Sequence, residues 1–285
     1  MSRILVTGAQ GQLGSEIIKI SKEYPTFDFI FVDMEEMPLE DITKVIAFLD
    51  KTVPDIIISA GAYTAVDKAE IEKELADQVN HLAIDTISHW CSNNGSKLIH
   101  ISTDYIFDGT SKLPYNENDI AAPINWYGET KRRGELSIER NLNDAVIIRT
   151  SWVYSEYGNN FVKTMLRLMN ERESISVVND QIGTPTYALD LAKAIMKILT
   201  SDNLVPGFFH YSNEGEISWY EFAVEINRLS GLNCIINAVT SDQFPTAAKR
   251  PNFSLLEKTK IKKTYNVLVP EWKESLAKCL KILNS

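Results

Sequence analysis

Short apolar runs separated by amphipathic stretches recur from the first residues of the chain. Residues 3–7, Arg-Ile-Leu-Val-Thr, form a continuous β-branched run, the pattern of a strand buried on both faces. Similar runs return at Phe27–Val32, 56–60, 97–101 and 145–149. Between them lie helix-like segments at 16–21, 41–49, 70–79, 80–93 and 127–140. Strands and helices alternating at this spacing predict an α/β fold, a Rossmann-like doubly wound parallel sheet. The alternation continues with a helix at 161–170, a strand at 176–178, an amphipathic helix at Ala188–Leu199 and a strand at Gly207–Tyr211. A helix opens at Ser218, where Glu221 completes a capping box. A strand at 234–239 and a last helix at 271–283 follow. The chain has no internal repeat, low-complexity tract or linker, so its second half reads as interleaved with the first.

Composition narrows the function classes. The chain has 285 residues, 44% hydrophobic and 24% charged, which is ordinary globular material. Its net charge of −9 argues against a nucleic-acid surface. No stretch approaches the ~20 apolar residues of a membrane span, and the immediate entry into a strand leaves no room for a signal peptide. Cys91, Cys234 and Cys279 are few, odd in number and far apart. They fit buried, reduced thiols of a cytoplasmic protein and carry no nucleophile motif. The four histidines lack metal-ligand spacing and receive no catalytic role.

The first strand runs directly into Gly8-Ala9-Gln10-Gly11-Gln12-Leu13-Gly14 and then a helix. In that context spaced glycines serve a phosphate group: Gly8 for the turn, Gly11 for close approach, Gly14 for helix–sheet packing. The helix N-terminus adds unpaired N–H groups and partial positive charge. Asp33 ends the second strand, where an acid can accept from a ribose hydroxyl and repel a 2′-phosphate, which hints at NAD over NADP. Gly8, Asp33, Ala60 and Thr103 all fall at strand ends, where ligands bind in such sheets. Tyr127 and Lys131 lie one helical turn apart and share a face. A nearby ammonium favours the phenolate, so the expected pair is a tunable proton donor, with the Thr103 hydroxyl close enough to bind the same reacting oxygen. The chain is then read as a dinucleotide-binding domain over 1–150, completed by about 186–213, with a smaller α/β substrate region over 151–285.

These motifs, with Ala62-Tyr-Thr-Ala-Val-Asp-Lys-Ala-Glu70, Ser102-Thr-Asp-Tyr-Ile-Phe-Asp-Gly109, Arg149-Thr-Ser-Trp-Val-Tyr154, Gly158-Asn-Asn-Phe161 and Asn179-Asp-Gln-Ile-Gly-Thr-Pro-Thr186, occur in one order along the chain. In them the sequence resembles the extended short-chain dehydrogenases/reductases, and among these the dTDP-4-dehydrorhamnose reductase family. The resemblance implies NADPH- or NADH-dependent reduction of the C4 ketone of dTDP-4-dehydro-6-deoxy-L-mannose to dTDP-L-rhamnose. It implies Tyr127 as proton donor, Lys131 on the nicotinamide ribose and Thr103 on the sugar carbonyl. It puts Gly11, Gln12 and Leu13 at the pyrophosphate, and Asp33, Asp41 and Ile42 at the adenosine end. Ala62, Tyr63 and Thr64 would face the nicotinamide half, and Asp104 and Trp152 the substrate. Arg250 is a candidate for the nucleotide diphosphate, because a guanidinium forks onto phosphate. Some relatives bind a divalent ion at a dimer interface through Glu16 and a later glutamate. Here Leu189 stands at the later position and Asp190 is about 100° further round the helix, so no metal is expected. Homodimerisation is left open. The rivals are a sibling nucleotide-sugar 4-ketoreductase or epimerase, and a non-catalytic NAD(P)-binding regulatory subunit.

Overall fold

The computed structural model describes residues 1–284. The first half alternates as follows: β1 (Ser2–Thr7), α1 (Gln12–Ser21), β2 (Phe27–Val32), α2 (Ile42–Thr52), β3 (Ile56–Ser59), α3 (Val66–Ala69), α4 (Lys73–Asp77), α5 (Ala83–Asn94), β4 (Lys97–Thr103), α6 (Trp126–Asn141) and β5 (Ala145–Thr150). The second half adds β6 (Val153–Tyr154), α7 (Phe161–Glu171), β7 (Ser174–Val178), β8 (Ile182–Gly183), β9 (Thr186–Tyr187), α8 (Ala188–Leu199) and β10 (Gly207–Tyr211). It closes with β11 (Ile217–Ser218), α9 (Trp219–Leu229), β12 (Ile235–Val239), α10 (Thr259–Tyr265) and α11 (Trp272–Leu283).

Six parallel strands form the central sheet in the order β10-β5-β4-β3-β1-β2. Successive strand residues point to opposite faces, and the sequence fills both. Ile4, Val6, Ile58, Ile99 and Ile148 join Ile17, Leu191 and Ile195 of α1 and α8 on one side. Leu5, Ile57, Leu98 and Ile147 join Val45, Ile87, Trp90 and Ile138 of α2, α5 and α6 on the other. This double burial is why the strands read as unbroken apolar runs. A third core, built on Tyr154, Val162, Phe222, Trp272 and Leu276, organises the rest of the C-terminal half. There β7 pairs with β12, and two-residue strands make the pairs β6–β9 and β8–β11.

The strand order reverses at β1, which has β2 on one side and β3 on the other. A crevice opens at the carboxyl ends of strands at such a switch point. Gly8 makes the approach possible: its φ is +67°, and a Cβ there would lie 2.6 Å from the Cα of Gly61 after β3. One local departure from the sequence pattern shapes the same region. The stretch expected as helices over 70–79 and 80–93 divides into α4, a π-helical turn at Gln78–Leu82, and α5, with the separate short helix α3 just before it. Such turns recur at functional sites, and this one turns the Asn80 side chain inward. Its amide exchanges hydrogen bonds with the backbone N–H and carbonyl of Tyr63 at 2.9 and 3.0 Å and donates to Thr130 Oγ1 on α6 at 3.2 Å.

Candidate active site

A cavity of about 810 Å³ runs along the carboxyl ends of the strands. Its walls bring together Gly8, Gly11, Gln12, Leu13, Gly14, Asp33, Ala62, Tyr63, Thr64, Thr103, Asp104, Tyr127, Lys131 and Trp152. At one end α1 starts with Gly11 as its N-cap, and no side chain caps it. Its first N–H groups are therefore left for a ligand, as phosphate sites at helix N-termini require. Gly14 packs this helix so tightly on the loop that a Cβ would lie 2.7 Å from the Ala9 Cα. The Asp33 carboxylate ties the loop down, accepting from Gln10 N and Met34 N at 2.7 and 2.8 Å.

The other end is built from buried side chains. Asn125 caps α6 by accepting from Gly128 N at 2.8 Å, and Glu70 accepts from Trp126 N at 2.7 Å. These caps fix the helix turn that presents Tyr127 and Lys131. Thr103 ends β4 and donates to Asp104 Oδ1 at 3.2 Å. Asp104 is buried, its Oδ2 has no hydrogen-bond partner, and the same is true of Ser102 Oγ and Gln12 Oε1 in the cavity wall. Burial pushes the Asp104 carboxyl up to about 6, against the pull of the Ser254 and Thr103 hydroxyls.

The electrostatics of Tyr127 differ from the sequence expectation. Burial pushes its phenol up to about 12, opposed by the contact with the Thr103 hydroxyl. The Lys131 ammonium turns toward β4 instead, donating to the Ile101 carbonyl at 2.6 Å. Burial lowers Lys131 to about 8, and the Glu135 carboxylate acts in the opposite direction.

Three expected ligand residues lie away from the cavity wall. Asp41 is the N-cap of α2, accepting from Lys44 N, and Ile42 is its first residue. Arg250 pairs with Asp67, Nη2 to Oδ2 at 2.7 Å, instead of facing the cavity. Conversely, the cavity is also lined by Met34, Ser102, Asn160 and Trp219. Trp219 stacks on Trp152 with ring centroids 3.7 Å apart, and Trp152 takes a positive φ of 47°. A tryptophan directly after a capping-box serine was the available signal for Trp219, since that position starts a helix at a fixed place. Glu16 lies outside the cavity, buried against Ser155, Glu156 and Lys19. Burial and the neighbouring Glu156 raise its carboxyl. Among the described residues no cluster of three or more His, Cys, Asp or Glu side chains is arranged to hold a metal ion.

A doubly wound sheet with a glycine loop at its switch point and a Thr-Tyr-Lys corner beyond β4 is the architecture of an extended short-chain dehydrogenase/reductase. The family model described as "RmlD substrate binding domain" matches residues 1–285. The dTDP-4-dehydrorhamnose reductase of Aggregatibacter actinomycetemcomitans is 37% identical over 286 residues, covering 97% of both chains. The solved structure of a dTDP-4-dehydrorhamnose reductase from Clostridium acetobutylicum superposes with a TM-score of 0.95 at 38% identity, covering 99% of this chain and 100% of that one. A second, from Bacillus anthracis in complex with NADP, gives 0.94 at 38% identity and the same coverage. The chain belongs to the dTDP-4-dehydrorhamnose reductase family.

Proposed function

We propose that this chain reduces the C4 ketone of dTDP-4-dehydro-6-deoxy-L-mannose to dTDP-L-rhamnose with NADPH or NADH. The observation that carries this reading is the meeting of a side-chain-free phosphate cradle and the Thr103–Tyr127–Lys131 corner in one cavity. Gly11, Gln12 and Leu13 would hold the pyrophosphate against the α1 N-terminus. Asp33 would accept from a ribose hydroxyl with the lone pairs its backbone partners leave free. Ala62, Tyr63 and Thr64 would flank the nicotinamide half, and Lys131 would donate to its ribose. The bound cofactor supplies the hydride.

The protein then has to bind the ketone oxygen and deliver one proton to it. Thr103 Oγ1 would turn its proton from Asp104 Oδ1 to that oxygen as negative charge grows on it. Tyr127 would give up its phenolic proton to the resulting alkoxide. Burial suits this direction of reaction, because it keeps the phenol proton-bearing until a stronger base is beside it. Asp104 Oδ2, buried and unpaired, would accept from a sugar hydroxyl, and the stacked Trp152 and Trp219 would wall the sugar nucleotide. We assign residues 1–150, completed by 186–213, to cofactor binding and 151–285 to the substrate side.

The three buried free cysteines support a reducing, cytoplasmic setting, and no helix among the described residues is long and apolar enough to cross a membrane. The test is a steady-state assay with the dTDP-keto sugar and each reduced cofactor. Substrate-dependent oxidation of NAD(P)H is expected. Tight cofactor binding with no turnover would leave only a nucleotide-binding protein.

A further inference from the structure

One buried titratable group beside the site has no part in the reaction above. His100 lies in the middle of β4, fully buried, with Nε2 3.3 Å from Lys131 Nζ and Nδ1 3.2 Å from Ser59 Oγ on the neighbouring strand β3. The hydrogen-bonding chemistry of this chain has one solution. An ammonium only donates, so Nε2 must be the bare nitrogen. A neutral imidazole then carries its proton on Nδ1, where Ser59 Oγ accepts it. Protonating the ring would set two cations 3.3 Å apart without water. Burial and the Lys131 charge accordingly hold the ring well below its usual range. The chain Ser59–His100–Lys131 runs from the cavity wall into the sheet, and all three residues are at most 2% exposed.

We propose that His100, kept neutral and in one tautomer by Ser59, is a positioning residue that accepts one N–H of Lys131, leaving the ammonium charged and its remaining N–H aimed at the cofactor side. The Ile101 carbonyl takes a second N–H at 2.6 Å, so the three donors of Lys131 are divided between two fixed acceptors and one ligand. Sheet geometry makes this possible, because β3 and β4 pair with Ser59 opposite His100. The proposal rests on the assignment of Lys131 to the cofactor ribose.

Removing the acceptor makes the buried ammonium easier to deprotonate, which moves any Lys131-dependent alkaline limb to lower pH. In His100→Met the alkaline limb of kcat/KM, and that of NAD(P)H binding measured by fluorescence titration, should move down by about one pH unit, with about a fivefold loss at pH 8. His100→Gln, whose amide oxygen can accept from Lys131, should restore both limbs. Ser59→Ala releases the tautomer and should shift them in the same direction by less. It also serves if His100→Met fails to fold. Unmoved limbs in His100→Met or, failing that, in Ser59→Ala would overturn the proposal, as would a His100→Gln protein as impaired as His100→Met. Because the binding limb needs no turnover, it separates this outcome from a failure of the substrate assignment.

Discussion

The two ends of the cavity are built in opposite ways. At the glycine loop, function comes from what is missing: no side chain caps α1, and Cβ atoms on Gly8 or Gly14 would collide with backbone. At the β4–α6 corner, function comes from what is buried: Thr103, Asp104, Tyr127 and Lys131 are all nearly excluded from water. The difference matches the ligand groups proposed for each end. Holding a phosphate needs fixed dipoles, and backbone N–H groups supply them at any pH. Delivering a proton needs titratable groups, and these can be tuned only by desolvation and neighbours. One end should therefore answer to shape and the other to pH.

The strongest break in this contrast is Tyr127→Phe. It removes only the acid, so kcat should fall ~10²–10⁴-fold while the Kd for NAD(P)H stays within about threefold. A rate within tenfold of the unmodified enzyme would take the proton role away from Tyr127. Next in size is the stability effect of Asp104. Its folded carboxyl sits near 6 against an ordinary 3.8. Between these values the folded state holds the extra proton, so stability falls as pH rises through the window and the penalty persists above it. Urea denaturation should show Asp104→Asn gaining up to about 3 kcal/mol on the parent protein between pH 4 and pH 7. A pH-independent gap would mean that the carboxyl is not desolvated.

Gly14→Ala tests the other end. The added methyl group meets the Gly8 carbonyl and the Ala9 backbone, and overpacking of this kind costs about 1–3 kcal/mol. Cofactor affinity should weaken accordingly, with the pH profile of kcat unchanged. A shifted profile would blur the division between the two ends. The smallest effect is expected from Trp219→Ala, which removes one member of the stacked pair. At about 1 kcal/mol for an aromatic contact, KM for the dTDP-sugar should rise about fivefold, with NAD(P)H binding untouched. An equal change in both constants would place Trp219 on the cofactor side.

The loop end was the more legible of the two in the sequence, and the physical reason is locality. Gly11 and Gly14 pack on the Gly8 and Ala9 backbone of the same loop, so spacing alone exposes them, although the Gly61 that Gly8 meets lies far along the chain. The amphipathic period likewise marks Ala188–Leu199 from end to end. What stayed hidden depends on partners far along the chain. Arg250 reads as a free guanidinium until Asp67 is seen across from it. The π-helical turn at Gln78–Leu82 is held by Asn80 bonding to Tyr63 and Thr130, and no propensity announces it. The two-residue strands β6, β8, β9 and β11 are too short to show a period. The Tyr127–Lys131 spacing was visible, but not that the ammonium turns to Ile101 and His100.

The clasp between Asp67 and Arg250 carries a consequence for biosynthesis. Asn125, the cap of α6, also donates to the Lys249 carbonyl at 2.8 Å, and Ala248 N donates to Asp67 Oδ1. The β4–α6 corner is therefore fastened by residues made well after it, Lys249 lying 124 positions beyond Asn125. A nascent chain that has delivered only residues 1–150 already owns its glycine loop, yet the helix bearing Tyr127 still lacks this late fastening. The corner proposed to deliver the proton is thus completed later in synthesis than the loop proposed to hold the phosphates.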